Sequence, residues 1–208
     1  TTRAGTVKKT ALSDFANVRR GGIIAIKIVP GDALIEARFT TGHDDVILVT
    51  AEGMSIRFHE DGVRTMGRAA AGVRGIRLGK DDHVVALSIV SKDATLLVAG
   101  ENGIGKRTDF DDYRVQSRGG KGIKTMKITK KTGKVVGGLT VHEGDEIMLI
   151  TVGGQMVRTS VDGVRQTGRN AQGVRLVNVD DKDRLQDIAP VVSAEKEEEA
   201  AGEEEAEE

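Results

Sequence analysis

Apolar runs that stop at a glycine turn recur along this chain. Val46-Ile47-Leu48-Val49 leads to a turn at Gly53 and leaves it as Met54-Ser55-Ile56-Arg57-Phe58, where apolar and polar positions alternate. Leu96-Leu97-Val98-Ala99 does the same around Gly103, and Ile147-Met148-Leu149-Ile150 around Gly154. An apolar run, a glycine turn and an alternating return strand predict a β-hairpin. The first ten residues carry the second half of one more hairpin, around Gly5. The turn glycines Gly5, Gly53, Gly103 and Gly154 are spaced 48, 50 and 51 residues apart, and a cation follows each by four: Lys9, Arg57, Arg107 and Arg158.

A second pattern runs in phase with the first. A glycine and an aliphatic residue open Gly22-Ile23-Ile24-Ala25-Ile26-Lys27-Ile28, Gly72-Val73-Arg74-Gly75-Ile76-Arg77-Leu78, Gly122-Ile123-Lys124-Thr125-Met126-Lys127-Ile128 and Gly173-Val174-Arg175-Leu176-Val177-Asn178-Val179. Alternation of period two over this length predicts a half-buried strand. Residues 34–38, 84–87 and 135–139 supply a third strand in their units. Each unit then holds the strands of one blade, so the chain reads as all-β, a propeller-like array of about four four-stranded blades.

The approximate units are 1–47, 48–97, 98–148 and 149–190, with an acidic tail over 191–208. No amphipathic helix of ordinary length is visible, although residues 108–115 and 160–166 leave room for a helical turn. The first unit starts inside a turn, without the strand that would pair with residues 6–10, and an unpaired edge strand is an aggregation hazard. Residues preceding Thr1 in a longer protein are one source of that strand. The alternative is a late segment such as Val191-Val192, closing a ring on the N-terminal half-hairpin.

Composition narrows the chemistry. There is no cysteine, which excludes disulfides and thiolate metal sites and fits a cytoplasmic protein. With four Phe, one Tyr and no Trp, the core must come from Val, Ile, Leu and Met. No apolar run approaches the roughly 18 residues of a membrane span, so no membrane partner is expected. The net charge of -1 conceals an asymmetry. Residues 195–208 hold nine Glu and one Lys, which leaves 30 Lys+Arg against 23 Asp+Glu elsewhere. A basic body points to a polyanion, and an acidic tail to a segment that competes for it. The tail lacks the apolar content to offset ordering entropy and is expected to be disordered.

The cations gather beside glycines in successive loops: Arg19 and Arg20; Arg64, Arg68 and Arg74; Arg114, Arg118, Lys121 and Lys124; Arg165, Arg169 and Arg175. Glycine lets a backbone approach a phosphate, and arginine offers a forked donor. With the hairpin cations Lys8, Lys9, Arg57, Lys106, Arg107 and Arg158, these predict a positive belt that holds duplex DNA by its phosphates. Scarce aromatics argue against single-strand stacking, and no recognition helix is visible to read sequence. His43, His59, His83 and His142 share no metal-ligand spacing, and Tyr113 sits inside a repeat loop where packing explains it. No catalytic or metal site and no cofactor is expected in this chain.

The repeats resemble the C-terminal DNA-wrapping domains of the bacterial DNA gyrase A family, which is shared with topoisomerase IV. The likeness rests on Gly5-Thr6-Val7-Lys8-Lys9-Thr10, Arg19-Arg20-Gly21-Gly22-Ile23-Ile24, Met66-Gly67-Arg68, Gly72-Val73-Arg74-Gly75-Ile76-Arg77 and Gly103-Ile104-Gly105-Lys106-Arg107-Thr108. It extends to residues 113–124, Met148-Leu149-Ile150-Thr151 and residues 168–175. The family box reads Gln-Arg-Arg-Gly-Gly-Lys/Arg-Gly. Gln116-Ser117-Arg118-Gly119-Gly120-Lys121-Gly122 departs from it at Ser117, as a degenerate copy in a later blade would.

The resemblance implies a β-pinwheel, usually six-bladed with strands exchanged between neighbours, of which this chain holds part. It implies wrapping of duplex DNA with positive handedness in support of ATP-dependent negative supercoiling, with the fragment itself non-catalytic. It further implies that the gyrase B protein and a second gyrase A protein are partners in an A2B2 complex through other domains, where ATP and Mg act. The alternatives are a DNA-binding domain like that of topoisomerase IV and a protein-interaction propeller without nucleic acid. The last predicts an exposed aromatic or apolar face, for which this composition has little material.

Overall fold

The protein, seen here as a computed structural model, is described over residues 1–18 and 20–191. Its strands, in chain order, begin with β1 (Thr6–Val7), β2 (Asp45–Thr50), β3 (Met54–His59), β4 (Val73–Arg74), β5 (Val84–Ile89), β6 (Thr95–Gly100) and β7 (Ile104–Asp109). They continue with β8 (Ile123–Lys124), β9 (Val135–Val141), β10 (Glu146–Thr151), β11 (Met156–Ser160), β12 (Val174–Arg175) and β13 (Leu185–Val191). Each predicted glycine turn closes a hairpin: β2–β3, β6–β7 and β10–β11 are antiparallel pairs. The foreseen helical turns are the short 3-10 turns Phe110–Asp112 and Val161–Gly163, with an equivalent at Glu60–Gly62. Asp109 and Ser160 cap the first two by accepting the N–H of Asp111 and Asp162.

The sheets do not respect the repeat boundaries. Their orders are β5-β2-β3-β8, β9-β6-β7-β12, β13-β10-β11 and β1-β4. The short strand of each unit pairs with the hairpin of the unit before it: β4 on β1, β8 on β3, β12 on β7. Each seam between neighbouring units is therefore stitched by backbone hydrogen bonds as well as by packing.

Exchange also explains where the predicted strands differ. The seven-residue alternating segments pair over two residues only, because the chain turns away once it has crossed the seam. Residues 22–28 form no strand, and Ile24 stays exposed. Residues 34–38 form no strand either, and Leu34 makes only an isolated bridge to Thr2. Their equivalents β5, β9 and β13 each lean on the first strand of a hairpin, which the first unit lacks. Ring closure by a late segment does not occur at Val191, which pairs with Glu146, while Thr6 and Val7 pair within β1–β4. Val192, like the rest of the acidic tail, lies outside the described residues.

The central hairpin strands are apolar on consecutive positions because both their faces are buried. Ile47 and Val49 of β2 face one core cluster with Leu96, Val98 and Met126, while Val46 and Leu48 face another with Val7, Ile56 and Phe58. Leu96 and Val98 of β6 share that first cluster, while Leu97 and Ala99 join Ile147, Leu149 and Ile188 in a third. Each core thus lies between two adjacent sheets. Tyr113 is buried in one of them and hydrogen-bonds the Thr125 hydroxyl at 2.6 Å, a packing role.

One seam holds a buried carboxylate. Glu60 accepts the N–H groups of Gly42 and Asp44 at 2.8 and 3.0 Å and the Thr40 hydroxyl at 2.9 Å, and pairs with Lys9 at 3.2 Å. Burial disfavours its charge, but these donors outweigh burial and hold its carboxyl below the usual 4.5. A depressed folded pKa gives stability that is present above the unfolded value and lost as pH falls through the folded one. Glu60→Gln is expected to lower stability by about 2–3 kcal/mol at pH 7. Urea midpoints of the two proteins should converge as pH falls through the folded-state value of Glu60.

Candidate nucleic-acid interface

The hairpin cations turn into the seams rather than out to solvent. Each return strand lies against the next unit, so a cation four residues past the turn meets that unit's 3-10 turn. Lys9 pairs with Glu60. Arg57 pairs with Asp45 at 2.8 Å and donates to the Phe110 carbonyl at 2.8 Å. Arg107, buried, donates to the Val164 carbonyl at 2.8 Å and pairs with Glu143 at 2.8 Å. Arg158 differs: it is exposed and pairs with Glu146 of its own hairpin.

The lysines one position earlier also look inward. Lys8 donates to Arg68 and Ala25 carbonyls. Lys106, fully buried, donates to the carbonyls of Gly168 and Arg169 at 2.8 and 2.6 Å. The belt predicted from Lys8, Lys9, Arg57, Lys106 and Arg107 is thus a set of struts between units. Their spacing from the glycine is real, but Lys106 and Arg107 stand on β7, where both faces are covered, and Lys8, Lys9 and Arg57 are half-buried against the next unit.

The loop cations are placed differently. The backbone N–H groups of Met66, Gln116 and Thr167 donate at 2.8 Å to the carbonyls of Lys9, Arg57 and Arg107 in the preceding unit. These three equivalent anchors fix Arg64, Arg114 and Arg165, two residues upstream of each, at the same position on successive units. All three are exposed. So are Arg74, Lys124 and Arg175, which stand on the exchanged strands β4, β8 and β12.

Half-buried arginines tie one loop to the next. Arg118 donates to the Gly62 carbonyl at 2.6 Å and the Arg74 carbonyl at 3.2 Å. Arg169 repeats the move with the Lys124 carbonyl at 2.9 Å. Arg68 holds the equivalent place and is half-buried. The result is a row of exposed cations, unit after unit, on a backbone held rigid by its own hydrogen bonds.

The residues of the box-like segment sit inside this row. Gly119 donates to the Gly75 carbonyl at 2.6 Å and Gly120 accepts from Arg77 at 2.7 Å, so Gln116, Ser117 and the glycines through Gly122 dock on the preceding unit. Lys121 is exposed at its tip. Arg20 is exposed on the first unit, and Arg19 lies outside the described residues. Exposed Arg77 and Lys127 extend the row and are missing from the belt predicted by sequence. Their signal was present: each follows Arg74 or Lys124 by three residues in the same segment. Among the described residues no three His, Asp or Glu side chains converge as a metal site would require.

Comparison with known proteins follows the same repeats. The family model described as DNA gyrase C-terminal domain, beta-propeller, matches residues 1–41, 44–91, 94–142 and 145–191. The chain is 45% identical over 198 residues to the A subunit of DNA gyrase from Salmonella typhimurium, covering 94% of this chain and 23% of that protein. It is 46% identical over 190 residues to the A subunit of DNA gyrase from Mycolicibacterium smegmatis, covering 90% of this chain and 23% of that protein. It therefore spans less than a quarter of these relatives' length. Among solved structures, a DNA gyrase A C-terminal domain superposes with TM-score 0.83 at 30% identity, covering 92% of this chain and 64% of that one. The C-terminal domain of a DNA topoisomerase IV gives TM-score 0.88 at 25% identity, covering 99% and 65%.

Proposed function

Because the chain belongs to the DNA gyrase C-terminal domain, beta-propeller family, we propose that it binds duplex DNA along its exposed cations and wraps it for a type II topoisomerase. The observation that carries this reading is the repeated placement of Arg64, Arg114 and Arg165, each fixed by the same 2.8 Å backbone anchor two residues downstream. Cations that recur at the same place on successive units offer several phosphate contacts along a curved duplex. Bending 20–30 base pairs by 40–90° costs on the order of 1–6 kcal/mol, which many phosphate contacts along the curve offset.

In this reading the fragment is non-catalytic. It presents the wrapped segment, with positive handedness, to a strand-passing core elsewhere in the gyrase A protein. The gyrase B protein and a second gyrase A protein would join through domains outside this chain. ATP and Mg would act in those domains, in the cytoplasm. The inward cations Lys8, Lys9, Arg57, Lys106 and Arg107 keep the blades at the angle the wrap needs and touch no DNA. Arg158, Arg20, Arg68, Arg118, Arg169, Lys121 and Arg175 border the path. Structural likeness to the topoisomerase IV domain supports a second reading, a DNA-binding domain like that of topoisomerase IV.

Binding to a random-sequence duplex at several salt concentrations tests the contact surface. If six phosphates are engaged, log K against log[salt] is expected to fall with a slope of about −5. A slope near zero would remove the phosphate contacts and leave the protein-interaction reading.

A further inference from the structure

The loops that carry the arginines come in two forms, and one buried position in the preceding unit matches each form. Three residues after the turn glycine stand Lys8, Ile56, Lys106 and Val157 in successive units. Opposite Lys8 and Lys106, the next unit carries Gly67-Arg68-Ala69-Ala70 and Gly168-Arg169-Asn170-Ala171. Both loops close as tight turns, with Ala70 N–H donating to the Gly67 carbonyl at 3.1 Å and Ala171 N–H to the Gly168 carbonyl at 3.0 Å. In both, a lysine ammonium collects loop carbonyls: Arg68 for Lys8 at 2.6 Å, and Gly168 with Arg169 for Lys106. Ile56 meets the other form, Ser117-Arg118-Gly119-Gly120, which is held by Gly119 and Gly120 backbone bonds to the second unit.

Lys106 is the clearer case because both hydrogen bonds of its ammonium go to that one loop. The charged groups around it are Asp112, on the 3-10 turn, which favours its charge, and Arg169, on the loop, which opposes it. Tyr113 stands beyond with its hydroxyl on Thr125, and the residue paired with Lys106 across β6 is Val98. Arg107, next in sequence, faces the other way toward Val164 and Glu143.

We propose that Lys106 is a positioning residue for DNA binding, a latch whose ammonium holds the 168–171 loop so that Arg165 and Arg169 meet the duplex, and whose loss of charge weakens that hold, because a neutral amine keeps two N–H donors but not the charge assistance. This deepens the DNA-binding reading and rests on it. Burial, the dominant influence, lowers the Lys106 pKa to about 8, so the hold weakens in a range where exposed lysines and arginines stay charged. The sign for stability is opposite. A lysine whose folded pKa lies below its unfolded 10.5 costs stability while charged, and that cost fades as pH rises from about 8 toward 10.5. The loop loosens while the fold gains, which separates the latch from general alkaline unfolding.

The test uses the full 208-residue chain and Lys106→Met. Ile56 shows that the position accepts an apolar side chain. Two quantities are read at pH 7 and pH 9.5, at constant ionic strength. One is trypsin cleavage after Arg169, normalised to an unfolded peptide. The other is affinity for a random-sequence duplex. The wild-type chain is expected to be cut faster at the higher pH and to bind roughly threefold to tenfold more weakly, the loss of one or two phosphate contacts. Lys106→Met, with no donor at either pH, should at both pH values be cut at least as fast and bind at least as weakly as the wild type does at pH 9.5. Equal cleavage and affinity for the two proteins at pH 7, or a wild-type profile flat in both quantities, overturns the latch. A wild-type chain that binds no duplex refutes the DNA reading, while cleavage after Arg169 still decides the latch.

Discussion

Gly103→Ala is expected to cost the fold about 3–5 kcal/mol, whereas Gly154→Ala, at the equivalent turn one unit later, costs about 1–2 kcal/mol. Both glycines sit in the left-handed region, with φ of +71° and +86°, so both alanines carry the same backbone strain. The difference is the seam. A Cβ on Gly103 would stand 2.4 Å from the Val177 carbonyl oxygen, backbone of the next unit that cannot swing aside. Among the described residues, a Cβ on Gly154 meets nothing within 4 Å. Relief of the clash would require β12 to part from β7, with loss of the Leu176 N–H bond to the Gly103 carbonyl at 2.8 Å. Urea midpoints of the two variants measure the gap. Equal losses would mean that the exchanged strand contributes little to holding neighbouring units together.

Replacing Arg64, Arg74, Arg114, Lys124, Arg165 and Arg175 together by alanine is expected to weaken duplex binding about a thousandfold at 0.1 M salt and to flatten the salt slope by about 5. All six are exposed, so the fold should lose little, within about 0.5 kcal/mol per site. The matching control is Arg107→Met. Its guanidinium is buried against the Val164 carbonyl, so that change is expected to lower stability by about 2–4 kcal/mol and leave the salt slope as it was. Affinity and salt slope of the folded proteins, with urea midpoints for each, separate the two classes of cation. An Arg107→Met slope as shallow as that of the sixfold variant would return the inward cations to the DNA path.

How much of this the sequence revealed differs between fold and site. The hairpins and their period were legible because a glycine at the turn and apolar runs beside it are local signals. Exchange of β4, β8 and β12 between units was implied only by the family resemblance, since pairing partners 66 to 71 residues apart leave no local mark. The first unit shows the consequence. Residues 22–28 carry the same alternation as residues 122–128, yet among the described residues only the second segment joins a hairpin. At the site, spacing from the glycine located Lys106 and Arg107 as well as Arg114, but it cannot say which strand faces are covered. In an isolated sheet a charge at an alternating position faces solvent. Here both faces of β7 are packed, so its cations became struts. The loop arginines escaped that ambiguity because they stand outside the strands.

The central claim is that these exposed cations hold a duplex in a curve, and the linking number of a closed circle reports that curve directly. A nicked plasmid is saturated with the chain, ligated and deproteinised, and its topoisomers are compared with those of the sixfold variant. A wrapped duplex predicts a distribution displaced toward positive linking difference in proportion to bound protein, and no displacement with the variant. A distribution that stays at the protein-free position while the duplex is saturated would contradict it.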